Sequence, residues 1–138
     1  MDPVKKILLV DDDADDQLYF RDALNEISPD SHCEIASNGK EALEQIGIPP
    51  PPDLIFLDLN MPVMNGYECL VALKQQQRYK DIPVVIFTTS KNALDVQRSK
   101  ELGADLFLTK PADFGILCDK LLKILDLDFS NLPFYRFN

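Results

Sequence analysis

Three carboxylates, a hydroxyl and an ammonium stand at the ends of apolar runs in this chain. Asp11 and Asp12 follow Lys6-Ile7-Leu8-Leu9-Val10, and Asp58 closes the run that begins at Asp53. Thr88 ends Pro83-Val84-Val85-Ile86-Phe87, and Lys110 follows a weaker run from Asp105 to Thr109. Adjacent carboxylates facing a third would repel unless a cation sat between them. An all-oxygen site with few protein ligands suits Mg²⁺, which keeps several of its waters, better than zinc or a caged Ca²⁺. The single histidine, His32, is far from these positions. Beside such a cation a carboxylate oxygen of Asp58 could attack a phosphorus centre, as in aspartyl-phosphate chemistry. Lys110 could then balance the added charge and the Thr88 hydroxyl could donate to a phosphoryl oxygen.

Each residue also has a plain reading. Asp58 ends a strand, Thr88 is a β-branched strand residue and Lys110 is a surface lysine after a strand. Asp13, Asp15 and Asp16 read as a helix cap and first-turn acids facing the positive end of a helix dipole. The chemistry is suggested by the joint pattern, not by any one member.

The elements that must position these residues are legible from periodicity. Three continuous apolar runs, ending near Val10, Leu57 and Phe87, fit parallel strands buried on both faces, where no alternation is expected. Weaker strands are predicted at Cys33 to Ala36 and Asp105 to Thr109. Phe20, Ala23, Leu24 and Ile27 make one apolar stripe on a helix from about Ala14 to Ile27. Further helices are predicted from Gly39 to Ile46, Asn65 to Gln76, Asn92 to Leu102 and Asp113 to Leu125. Strand and helix alternate throughout, which predicts an α/β doubly wound fold with a five-stranded parallel sheet in the flavodoxin-like order 2-1-3-4-5. In such a sheet, ligands bind at the carboxyl ends of the strands, where the acids lie. Pro49 to Pro52 read as a stiff extended linker, with an SH3-type ligand as the sharper alternative.

At 138 residues, 46% of them apolar, the chain can build one core. Residues 1–126 are expected to form that domain and 127–138 an aromatic tail. Net charge is −9, from 14 basic against 23 acidic residues, so a nucleic-acid ligand is not expected. No apolar run is long enough for a membrane span, and Met1-Asp2-Pro3-Val4 does not resemble a signal peptide, so the expected compartment is the cytoplasm. Cys33, Cys69 and Cys118 suggest buried free thiols, with neither a disulfide framework nor a zinc site.

At these residues the chain resembles the receiver domain of two-component response regulators, in its stand-alone, CheY-like form. The similarity runs from about Lys5 to Leu125 and rests on Leu-Leu-Val-Asp-Asp, Leu-Asp-Leu-Asn-Met-Pro-Val-Met-Asn-Gly, Phe-Thr-Thr-Ser, and Leu-Gly-Ala-Asp with Leu-Thr-Lys-Pro. The resemblance implies that Asp58 is the phosphoacceptor and that Asp11 and Asp12 hold Mg²⁺, with Asn60 lending its main-chain carbonyl. It also implies that Thr88 is the switch hydroxyl, Lys110 the phosphoryl-pairing lysine and Phe107 the switch aromatic, although Phe107 is equally explicable as core. A cis Lys110–Pro111 bond is implied as well, and Gly66 fits a turn that a Cβ would crowd. The implied partners are a histidine kinase or histidine phosphotransfer protein and a downstream protein target. The receiver would catalyse its own phosphorylation and dephosphorylation but would not be a multiple-turnover enzyme.

Two other functions share parts of this pattern. A Mg²⁺-dependent aspartyl-phosphate phosphatase of the haloacid-dehalogenase type needs an acid two positions past its nucleophile, where this chain has Asn60. A non-phosphorylated adaptor would not need Asp11, Asp12, Asp58, Thr88 and Lys110 together. The tail, with Phe129, Leu132, Phe134, Tyr135 and Phe137, is too aromatic for a disordered end. Either it packs on its own domain, or it covers a partner, completing a homodimer or masking a signalling face.

Overall fold

The computed structural model describes residues 5–137, apart from the side chains of Asn131, Tyr135 and Phe137; Met1 to Val4 and Asn138 lie outside the described residues. Strand and helix alternate as β1 (Lys6–Val10), α1 (Ala14–Ile27), β2 (His32–Ala36), α2 (Gly39–Ile46), β3 (Leu54–Leu57), α3 (Gly66–Gln75), β4 (Val84–Thr88), α4 (Ala93–Glu101), β5 (Leu106–Thr109) and α5 (Phe114–Leu125). Each helix starts at an Asp or Asn whose side chain accepts a main-chain N–H of the first turn: Asp13, Asn38, Asn65, Asn92 and Asp113. Asn65 and Glu68 form a reciprocal capping box.

The strands pair in parallel in the order β2-β1-β3-β4-β5, as the alternation predicts. Successive strand residues feed opposite faces. Leu8, Val10, Ile55, Leu57, Ile86 and Phe107 pack with α2 and α3 residues such as Ala42, Ile46, Leu70 and Leu73. Ile7, Leu9, Phe56, Val85, Phe87 and Leu108 pack with α1 and α5 residues such as Phe20, Leu24, Leu117 and Leu121. Phe20, Phe56 and Phe87 meet edge to face, with centroids 4.9, 5.6 and 6.0 Å apart. Burial on both faces explains why the central strands are continuously apolar.

The structure departs from the predicted five strands at the tail. A short 3-10 turn, Phe129–Asn131, leads to β6 (Tyr135–Phe137), which pairs in parallel with β5 and makes a six-stranded sheet. Leu127, Phe129 and Leu132 pack on the α1/α5 side, whereas Phe134 packs on the opposite side. The tail therefore wraps the β5 edge and packs on its own domain.

A second departure concerns proline. The cis bond among the described residues joins Pro49 to Pro50, and Lys110–Pro111 is trans. The X-Pro isomers differ by only about 0.5–1 kcal/mol, so a sequence motif alone does not fix which one the surroundings select. The Pro49–Pro52 linker is pinned at its middle, where Lys6 Nζ donates to the Pro50 carbonyl at 2.6 Å, and Pro52 is buried. Cys69 and Cys118 are buried free thiols, and Cys33 is half-buried.

Candidate phosphoacceptor site

Parallel strands bring their carboxyl ends to one edge of the sheet, and the sequence-predicted residues meet there. The Asp11 N–H donates to Ala36 O and the Asp58 N–H to Val10 O, both at 3.0 Å, so each acid is held by continuation of the strand ladder. Asp11 is fully buried and Asp58 is 7% exposed, while Asp12 beside them is exposed. All three can place a carboxylate oxygen within 4.8 Å of one another. Lys110 follows β5, and its N–H donates to Thr88 O at 2.7 Å. Its ammonium lies 2.8 Å from Asp11 Oδ2, 2.8 Å from Asp16 Oδ2 and 3.3 Å from Asp58 Oδ2.

Electrostatics in this cluster are lopsided. Burial would pull the Lys110 pKa down, but hydrogen bonds to Asp11 and Asp16 and the charges of Asp58 and Asp11 outweigh it and raise the pKa. Burial pushes the Asp11 carboxyl up, partly offset by Lys110 and by the Asp13 N–H. One ammonium faces the carboxylates of Asp11, Asp16 and Asp58, with Asp12 at the rim. The hard oxygen donors and uncompensated charge fit a divalent cation of the Mg²⁺ type.

Thr88 is fully buried at the end of β4, and its hydroxyl has no hydrogen-bond partner among the described residues. Buried hydroxyls are rarely left so, which marks this one as a group lacking its acceptor. Phe107 is also fully buried, within the cluster that includes Ile86 and Ala104. Asn60 is exposed, and its N–H lies 3.4 Å from Asp58 Oδ1.

The loop after β3 has two local features. Gly66 opens α3 so close to the end of β3 that a Cβ there would lie 2.1 Å from the Asp58 carbonyl oxygen. Val63, 78% exposed, has φ +67°, a conformation a β-branched residue rarely adopts. Sequence reasoning placed Asp16 only in the first turn of α1. The structure makes it an ion-pair partner of Lys110.

The family model for the response regulator receiver domain matches residues 7–122. The response regulator Rcp1 of Synechocystis sp. is 41% identical over 114 residues, covering 78% of each chain. The structure of the phosphorylated cyanobacterial phytochrome response regulator RcpA superposes with a TM-score of 0.83 at 31% identity, covering 93% of this chain and 96% of that one. The Mn²⁺-bound form of Rcp1 gives 0.79 at 34% identity, with the same coverage. Among the described residues no helix is long and apolar enough to cross a membrane. The match spans both faces of the sheet and the whole acidic edge, and this chain belongs to the response regulator receiver domain family, the phosphorelay components of two-component signalling.

Proposed function

We propose that Asp58 accepts a phosphoryl group from a histidine kinase or histidine phosphotransfer protein, and that the resulting charge switches a surface read by a downstream protein. The observation that carries this is the convergence of Asp58, Asp11 and Lys110 at one edge of the sheet, with hydrogen-bonding contacts from Lys110 to both acids. In the transfer, an Asp58 carboxylate oxygen forms the new bond to phosphorus while the bond to the donor imidazole nitrogen breaks and its electron pair stays on that nitrogen. Lys110 supplies the positive charge that stabilises the transferred group. Thr88, whose hydroxyl lacks an acceptor, gains one in the phosphoryl oxygens, and Phe107 adjusts beside it as the switch aromatic. Asp11, Asp12, Asp58 and the Asn60 main-chain carbonyl would hold Mg²⁺, which when bound neutralises charge on the phosphoryl oxygens. The product remains attached to the protein, so the chain acts as a switch and not as a multiple-turnover enzyme.

Incubation with acetyl phosphate and Mg²⁺, followed by intact mass, tests this directly. A single adduct of phosphoryl mass is expected. Continuous phosphate release without an adduct would instead indicate a phosphatase, and no reaction an adaptor.

Cation binding gives an independent check. Because the carboxylates converge only in the folded chain, Mg²⁺ at about 100 times its Kd should stabilise the protein by about 2.7 kcal/mol. Asp12→Ala should remove most of that gain with little direct cost, since Asp12 is exposed. A wild-type melting temperature indifferent to millimolar Mg²⁺ would count against the cation site.

A further inference from the structure

α4 is attached to the domain differently from the other helices. Among its nine residues only Ser99 is buried, Val96 is half-buried against the core, and Leu94 stands 77% exposed. An element with so little buried apolar surface belongs to the low end of local stability, so its polar tethers matter more. The principal tether is the carboxylate of Asp95. Its Oδ1 accepts from the Tyr67 hydroxyl on α3 and its Oδ2 from the Ser90 hydroxyl, each at 2.5 Å.

Both partners are themselves fixed. The Arg98 guanidinium lies 4.1 Å from the centroid of the Tyr67 ring. Ser90 Oγ accepts the Asn92 N–H at 3.1 Å, and the Ser90 carbonyl accepts from the Thr109 hydroxyl at 2.9 Å. Hydrogen bonds from Ser90 and Tyr67 hold the Asp95 carboxyl below the usual carboxylate range. Desolvation, reinforced by Asp95 as acceptor, pushes the Tyr67 hydroxyl up to about 12. Ser90 lies two residues beyond Thr88, so this cluster ends on the segment that carries the unpartnered hydroxyl.

We propose that Asp95 is a positioning residue for the phosphoryl switch: by bridging Tyr67 and Ser90 it holds α4 and the Thr88–Ser90 segment in the resting arrangement, opposing the shift that brings Thr88 to the phosphoryl group. This rests on the reading of Asp58 given above. Two groups pull on the same segment in opposite directions. The unpartnered Thr88 hydroxyl favours movement toward an acceptor, and the Asp95 bridge favours staying. A contact made in only one of two states biases the equilibrium by its full differential strength, so loosening the bridge raises apparent affinity for anything that binds the other state.

The test is the affinity of the full chain for beryllofluoride, a phosphoryl mimic, in the presence of Mg²⁺, measured by titration calorimetry alongside thermal melting. Asp95→Ala should bind it about three- to tenfold more tightly than wild type. Asp95→Asn, which can still bridge two hydroxyls, should fall between. Tyr67→Phe removes one arm while keeping the ring under Arg98, so it carries the test if Asp95→Ala folds poorly, and it should also bind more tightly. Lower melting temperatures with unchanged or weaker mimic affinity would overturn the proposal and leave the bridge a purely structural tie. Failure of wild type to bind the mimic would overturn the Asp58 reading itself, a separate result.

Discussion

Asp58→Asn is expected to reduce phosphoryl incorporation from acetyl phosphate to background while leaving the fold intact. The amide is nearly isosteric with the carboxylate but is a poor nucleophile, so the chemical step is lost and the strand end is kept. Stability should not suffer. Asp58 is the most distant of the three acids around Lys110, at 3.3 Å against 2.8 Å for Asp11 and Asp16, so its ion pair contributes least. The substitution also removes one like charge from a cluster that holds Asp11 and Asp12. In the absence of divalent cations the variant should therefore melt no lower than wild type. Persistent labelling would show that another side chain is the acceptor, whereas a clear loss of stability would show that Asp58 is mainly structural.

Gly66→Ala should have the largest effect on stability of any single-methyl change near the site. The added Cβ would lie 2.1 Å from the Asp58 carbonyl oxygen and 2.7 Å from Leu59 Cα. These are backbone atoms, and they cannot rotate away as a flexible side chain would. Either α3 retreats, losing the hydrogen bond from the Gly66 N–H to Leu59 O at 3.0 Å, or the end of β3 shifts. Overpacking of this kind costs about 1–3 kcal/mol, and a backbone clash belongs at the upper end. A melting temperature lower by on the order of 10 °C is expected. Labelling of Asp58 should slow as well, since the displaced atoms belong to Asp58 and its neighbour. A Gly66→Ala variant that melts and labels like wild type would mean that the helix does not approach the strand so closely.

The central strands and the acid cluster were readable from sequence because both are local signals. Leu54 to Leu57 can be continuously apolar only if both faces are covered, and strands of that kind lie in the middle of a parallel sheet. Once their direction is fixed, Asp11, Asp58, Thr88 and Lys110 must share an edge. The positions of α1, α2, α3 and α5 follow from apolar spacing, and all five helices carry an Asp or Asn before the first turn.

What sequence did not show depends on contacts between distant segments. Asp16 reads as a first-turn acid until Lys110, 94 residues away, is brought to it. Tyr67 and Asp95 are 28 residues apart on different helices, and Tyr67 reads as one more apolar residue on the core side of α3. β6 is three residues long, too short for an alternation pattern to identify, and its aromatic residues fitted an interface as well as a strand. The isomer at Lys110–Pro111 is a matter of small energy differences that a motif does not resolve.

The path of the tail also sets where the two ends of the described chain lie. α5 runs back from the acidic edge, and Leu127 and Phe129 line a groove with Lys5, Asp53, Asp81 and Asp105, at the pole where the strands begin. Were the fold to stop there, both ends would leave from the same pole, away from Asp58. β6 reverses direction once more and, being parallel to β5, carries the chain to the opposite pole, where Phe137 is level with Leu108. A tether, label or additional polypeptide joined after residue 137 would therefore sit on the rim of the edge that carries Asp58. One joined before residue 5 would lie a strand length away, roughly 15 Å.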